Sequence, residues 1–274
     1  MSTRETYPAG VPCWVETLQP RPREALDFYA SLFAWDVDGP GPMPNRHGEY
    51  FVARVADRDV AGIGTLPAGA GPSAVWSTQI RVDSVEESAR KAADAGGRVL
   101  VEPFDALPAG RGAVISDPSG AVFCLWEARA RQGAQRVNEP RAWAMSALYT
   151  DDLAKAAAFY GSVFGWQSEP FDAGTMKVTL CRLPGYVGGE PQQPVPRDVV
   201  AVMMLIDKTS PVPIDPHWSV DFWIDDTDAA VERVAKLGGA VIVAPFDTPA
   251  FRQAVVADAQ GAVFSMSQLR NGRH

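Results

Sequence analysis

The side chains best suited to acid–base chemistry are His217, Asp221 and Glu16. His217 and Asp221 stand four residues apart in the run His217-Trp218-Ser219-Val220-Asp221-Phe222-Trp223, so on an extended strand both point to one face. An imidazole that titrates near neutrality and a carboxylate that fixes its tautomer are the components of a general base. At this spacing the two groups are roughly 13 Å apart, too far for direct contact. Glu16 shares its strand face with Trp14; among aromatic rings its carboxyl would rise in pKa and act as a base or seat a cationic amine. The chain has only His47, His217 and His274, and only Cys13, Cys124 and Cys181. A multi-histidine iron or zinc centre cannot be assembled from that set within one chain, nor a disulfide framework. The cysteines read as small apolar side chains in a reducing compartment. Arg111 and Arg252, at matching places before the last turn of each half, can bind an oxyanion, but carboxylate pairing is the stronger expectation.

The elements that position these groups are repeated. Ala25-Leu26-Asp27-Phe28-Tyr29-Ala30-Ser31-Leu32-Phe33-Ala34-Trp35 returns as Ala156-Ala157-Ala158-Phe159-Tyr160-Gly161-Ser162-Val163-Phe164-Gly165-Trp166. Asp117-Pro118-Ser119-Gly120-Ala121-Val122-Phe123 returns as Asp258-Ala259-Gln260-Gly261-Ala262-Val263-Phe264. Two echoes in the same order at nearly one offset indicate a tandem duplication of a domain of about 130 residues. The expected domains are 1–131 and 143–274, with 132–142 as linker. A length of 274 residues with 46% hydrophobic and 21% charged residues is an ordinary globular balance. The formal charge of −8 argues against nucleic acid and against anionic membrane surfaces as partners. With no apolar leader and no run near the roughly 18 residues that span a bilayer, the expected location is the cytoplasm.

Each half begins with a strand, near Cys13–Leu18 and Met145–Tyr149, followed by a helix with an apolar i, i+3, i+4, i+7 face, Arg23–Phe33 and Leu153–Phe164. Short strands follow, then a second strand and helix: Ser77–Val82 with Val85–Ala95, and Ser219–Ile224 with Ala229–Leu237. Both second helices stop at glycine pairs, Gly96-Gly97 and Gly238-Gly239, before three more strands. The expected fold is α+β: four βαβββ modules in two tandem domains, each a half-open β cup flanked by helices. Gly39–Pro44 and Leu183–Arg197, rich in proline and glycine, read as loops covering the cups. Trp35 and Trp166, at the helix ends, read as packing residues.

An Ala-x-x-Phe-Tyr-x-x-x-Phe-Gly-Trp helix, an Asp-Pro-x-Gly turn before the last strand, and Pro103-Phe104-Asp105 repeated as Pro245-Phe246-Asp247 resemble the vicinal oxygen chelate superfamily. Its members include glyoxalase I, extradiol dioxygenases and bleomycin-resistance proteins. More narrowly, the tandem arrangement is similar to actinobacterial two-domain members often labelled hydroxylases or 27-kDa antigens. The resemblance implies a cup in each domain that holds a divalent metal in the enzymes, where the metal stabilises an enolate or activates dioxygen. Matched to this chain, the implied ligand positions fall on Trp14, Ser77 and Cys124 in copy one and on Met145, Ser219 and Ser265 in copy two. The fourth lies within Val60–Leu66 or Val199–Leu205, which contain no Asp, Glu, His, Asn or Gln. A shift of two residues would bring in Glu16 and Gln79, or His217 and Asp221. Even so, neither copy yields three convergent ligands, so no metal and no cofactor is expected.

The predicted linings are Trp14, Glu16, Ser77, Gln79, Arg81, Cys124 and Trp126 in cup one, and Met145, Ala147, His217, Ser219, Asp221, Trp223, Ser265 and Ser267 in cup two. Aromatic walls with isolated polar groups suit a flat, partly polar organic molecule; alternatively, the tryptophans fill the cups themselves. The function expected from the resemblance is metal-free binding of an aromatic or polyketide-like natural product, for self-resistance or tailoring. The alternative is a lyase, isomerase, hydroxylase or dioxygenase acting on such a compound, with Glu16, His217 and Asp221 as catalytic candidates. The expected partners are that ligand and the second domain, in a monomer or homodimer.

Overall fold

The computed structural model describes residues 4–43, 47–69, 73–173, 176–188, 195–207 and 214–270, without the side chains of 173, 176 and 177. Copy one runs β1 (Pro12–Gln19), α1 (Pro22–Phe33), β2 (Asp36–Pro42), β3 (Glu49–Val55), β4 (Arg58–Thr65), then β5 (Val75–Arg81), α2 (Val85–Asp94), β6 (Arg98–Ala106), β7 (Gly110–Ser116) and β8 (Val122–Ala128). Copy two repeats it: β9 (Trp143–Thr150), α3 (Leu153–Phe164), β10 (Gln167–Ala173), β11 (Met176–Arg182), β12 (Val199–Leu205), then β13 (His217–Trp223), α4 (Thr227–Lys236), β14 (Ala240–Asp247), β15 (Phe251–Ala257) and β16 (Val263–Leu269). Each copy is one curled eight-stranded sheet, ordered β2-β3-β4-β1-β5-β8-β7-β6 and β10-β11-β12-β9-β13-β16-β15-β14. The fold is α+β, four βαβββ modules in two tandem domains.

Local chemistry explains the helices. Proline opens α1, where its missing N–H costs nothing. Ser84, Asp152 and Asp226 cap the other three by accepting backbone N–H bonds from Glu87, Lys155 and Ala229. α1 ends on Ala34 in the left-handed region at φ 50°, where the second copy has Gly165 at φ 74°. Of these two, glycine is the residue that adopts this conformation at little cost.

Two expectations are corrected here. Gly39–Pro42 is strand rather than covering loop: Gly41 pairs with Tyr50 and Pro42 with Glu49 beyond a register shift after Asp38. As an edge strand, β2 tolerates prolines that have no N–H to donate. For the same reason β6 runs through Pro103 to Ala106 instead of stopping at Glu102. Pro44 and residues 189–194 of the second expected cover lie outside the described residues, as does His274.

The echoed motifs meet each other. Tyr29 on α1 donates its hydroxyl to Asp258 (2.8 Å), the aspartate of the turn in the other copy, and accepts from Trp76 (3.0 Å). Tyr160 on α3 donates to Asp117 (3.0 Å) and accepts from Trp218 (2.9 Å). Each aspartate spends its other oxygen on backbone N–H groups of its own turn, Ser119, Gly120 and Ala121 in one case, Gln260 and Ala262 in the other. Gln19 adds a second bond to Asp258 (2.7 Å), and the hydroxyls of Thr78 and Ser146 meet at 2.7 Å between β5 and β9. Around these bonds Phe33 packs on Phe222 and Phe123 on Tyr160. Trp35 and Trp166 are 3% and 4% exposed, and donate to the carbonyls of Arg141 and Gly10 across the copies.

Candidate functional site

Strand register defines each cup. In copy one Glu16 stands opposite Gly62 on β4 and Ser77 on β5; Trp14 stands opposite Gln79, which is level with Cys124, and Arg81 is level with Trp126. In copy two Ala147 stands opposite Val202 and Ser219, Met145 opposite Asp221, Asp221 level with Ser265, and Trp223 with Ser267. The two cups therefore correspond position by position. The opening-strand residues level with Ser77 and Ser219 are Glu16 and Ala147. The expected positions Trp14 and Met145 lie one pleat further along, level with Gln79 and Cys124 in copy one and with Asp221 and Ser265 in copy two.

Cup one is filled by its own side chains. Trp14 is 2% exposed and Trp126 8%. The Trp14 indole donates to the Tyr50 hydroxyl (2.9 Å), which donates to Glu16 (2.7 Å). Gln79 also bonds to Glu16, and the Arg131 charge lies close by. Arg131, from the segment after β8, lays its guanidinium over the rings of Trp14 (5.3 Å) and Tyr50 (5.9 Å), and its carbonyl accepts from Trp126 (3.0 Å). Desolvation raises the Glu16 carboxyl against the pull of Tyr50, Gln79 and Arg131. Ser77 and Cys124 touch at 3.3 Å, and burial pushes the Cys124 thiol up to about 12. Arg81 is ion-paired with Asp83 at the strand end.

Cup two has smaller residues at the same places. Met145 replaces Trp14, Ala147 replaces Glu16, Ser267 replaces Trp126, and Asp221 replaces Gln79. Its carboxyl accepts from the Ser267 hydroxyl (2.7 Å), which accepts from Gln253 on β15 (2.8 Å). Desolvation pushes the Asp221 carboxyl up to about 7, and the Ser267 bond holds it back from rising further. Beyond Ser265 the same row continues through Val255 to Val243 on the edge strand, 42% exposed; Phe246, opposite Gln253, is 39% exposed. Trp223 is buried against Phe251, and the hydroxyls of Ser219 and Ser265 are 3.5 Å apart. His217 does not join Asp221: its ring stacks on Tyr149 (4.9 Å, 4° between planes) and its Nδ1 lies 2.8 Å from the Asp215 carbonyl oxygen. Burial and the Asp221 charge raise the Tyr149 phenol.

Arg111 and Arg252 both hold carboxylates, Glu86 and Asp105 in one copy, Asp228 and Asp247 in the other. Sequence reasoning missed Tyr50, Arg131, Tyr149 and Gln253. Tyr50 and Gln253 become legible once strand register is known. Arg131 lies in a segment without periodicity, so no sequence signal could place it.

The resemblance implies a divalent ion in each cup, and its fit can be tested on the donors. Copy one offers Gly62, Glu16, Ser77 and Cys124: one carboxylate already bonded to Tyr50, one hydroxyl and one neutral thiol. Copy two offers Val202, Ala147, Ser219, Ser265 and one carboxyl, Asp221, already bonded to Ser267. Among the described residues no group of three His, Cys, Asp or Glu converges. Neither set fits the three or more charged or imidazole ligands such an ion needs.

Two tandem pairs of βαβββ modules curled into cups define a vicinal oxygen chelate protein. Comparison with known proteins agrees: the chain belongs to the glyoxalase-like domain family, whose model matches residues 15–126 and 145–267. It is 36% identical over 271 residues to CFP32 of Mycobacterium tuberculosis, a protein named as a glyoxylase, covering 97% of each chain. It is 32% identical over 282 residues to the anthracycline biosynthesis protein DnrV of Streptomyces peucetius, covering 97% of this chain and 96% of that one. Among solved structures, the Mn(II)-bound glyoxalase of Novosphingobium aromaticivorans superposes with a TM-score of 0.62 at 15% identity, over 95% of this chain and 82% of that one. The dioxygenase LapB of Pseudomonas sp. KL28 superposes at 0.60 with 13% identity, over 95% and 93%. At those identities the likeness is one of fold. Among the described residues no helix is long and apolar enough to cross a membrane.

Proposed function

We propose that this protein binds an aromatic, polyketide-type natural product without a divalent metal, for tailoring or self-resistance, and that cup two is the ligand cup. The observation that carries the reading is the contrast between the cups. Trp14, Tyr50, Trp126 and Arg131 occupy cup one, whereas the matching places in cup two hold Met145 and Ser267 beside the Asp221 carboxyl. A concave apolar wall with a few polar groups is the usual form of a small-molecule site. The kinship with an anthracycline biosynthesis protein supports the ligand class. The reading takes the two copies as each other's partner through the Tyr29–Asp258 and Tyr160–Asp117 bonds, and places the protein in the cytoplasm.

The test is titration of the chelator-treated protein with an anthracycline aglycone, followed by tryptophan quenching. Saturable quenching that persists in EDTA and disappears in Met145→Trp supports the reading. Binding that appears only after Mn(II) or Fe(II) is added overturns it. One observation favours a second reading as an isomerase or lyase: a carboxyl that titrates near neutrality is suited to move a proton at a ligand carbon. Solvent deuterium entering the bound compound, and lost in Asp221→Asn, would establish that reading.

A further inference from the structure

Resting on the aromatic-ligand reading above, we infer that Asp221 is the counter-ion for a protonated amine carried by the ligand of cup two. Cup one also has a carboxylate in its wall, but Glu16 is bonded to Tyr50 and Gln79 and lies beside the Arg131 guanidinium. Asp221 has no such complement: it accepts from the Ser267 hydroxyl, and no cation among the described residues offsets its charge. An ionised carboxylate held in a desolvated place is costly unless a cation joins it. Asp221 is half-buried rather than sealed, so a ligand can reach it.

The surroundings specify what else the cation carries. The groups near Asp221 are Met145 on β9, Ser265 and Ser267 on β16, and Gln253 and Val255 on β15. None of these is ionisable. The titratable groups further along the same face are Tyr149 on β9 and His217 on β13, stacked on each other. Val243 and Phe246 continue the same rows onto the edge strand as exposed apolar side chains. A compound with a flat apolar body and one ammonium group meets all of these: the ring lies against the apolar wall, and the ammonium donates to Asp221. The Gln253–Ser267–Asp221 chain holds the carboxylate in place by donating to one oxygen, leaving the other for the ligand. A charge-assisted bond of this kind corresponds to an affinity gain on the order of tenfold to a hundredfold over an uncharged isostere.

A matched pair of probes isolates the charge. Aminomethyl-anthracene and hydroxymethyl-anthracene have almost the same shape, and only the first is a cation near pH 8. Both are titrated by fluorescence into the full chain in EDTA, as wild type, Asp221→Asn and Glu16→Gln. The expected result is a preference for the amine of at least about tenfold in the wild type and in Glu16→Gln, abolished in Asp221→Asn. Asp221→Asn keeps the acceptor for Ser267 and removes a desolvated charge, so it is expected to fold. Equal binding of the two probes overturns the amine assignment while leaving the aromatic reading intact. A preference that survives in Asp221→Asn, or one lost only in Glu16→Gln, overturns the assignment to cup two. Failure of both probes to bind overturns the aromatic reading and this inference together.

Discussion

Replacing Asp221 with asparagine should stabilise the protein increasingly as pH rises. The Asp221 carboxyl moves from its ordinary 3.8 to about 7 because burial penalises the ionised form. Between those values the folded protein still holds a proton that the unfolded chain has released, so this group makes stability fall as pH increases from about 4 to about 7. Each pH unit in that window costs about 1.4 kcal/mol, and a shift of roughly three units sums to about 4 kcal/mol at neutral pH and above. Water reaching the open side of the cup lowers this ceiling, so a plateau of about 2–4 kcal/mol is expected. Asparagine has the same shape, still accepts from Ser267, and does not titrate. The assay is urea unfolding of both proteins by circular dichroism from about pH 4.5 to pH 8. Other ionisable groups titrate alike in the two proteins and cancel in the difference. The stability difference, variant minus wild type, should climb through the acid range and level off near the folded-state pKa. A difference that stays flat across that range would show that Asp221 is not a desolvated carboxyl and would undercut the ligand site built on it.

Three further outcomes follow from the same contacts. Ser267→Ala removes the bond that restrains the Asp221 pKa, so the midpoint of that curve should move to higher pH. Tyr160→Phe leaves an Asp117 oxygen without its cross-copy donor, which should cost about 2 kcal/mol; Tyr29→Phe should cost less, because Gln19 still bonds to Asp258. Chemical denaturation measures both. Trp126→Ala empties part of a packed cup and should cost about 3–5 kcal/mol while leaving the affinity for an anthracycline aglycone within about twofold, well under 1 kcal/mol. A large loss of affinity there would return the ligand to cup one.

The duplication, the four modules and the α+β class were legible in the chain because they are written in local patterns: helix periodicity, glycine stops and repeated turns. The strand faces were legible too, since alternation alone puts Trp14 with Glu16 and His217 with Asp221. Tertiary structure decided what those faces meet. The Phe-Tyr helix and the Asp-x-x-Gly turn look, in sequence, like a core segment and a turn; folded, they bond to each other across the copies. Contacts between residues 229 and 43 positions apart leave no trace in local spacing. Register likewise put Glu16, rather than Trp14, level with Ser77, and a one-pleat shift cannot be read from alternation, which is the same after every second residue. The difference between the cups emerged only in three dimensions. Glu16 and Asp221 are both carboxylates among aromatics in sequence, but a tyrosine from the next hairpin and an arginine from beyond β8 fold onto one of them, and no described cation reaches the other.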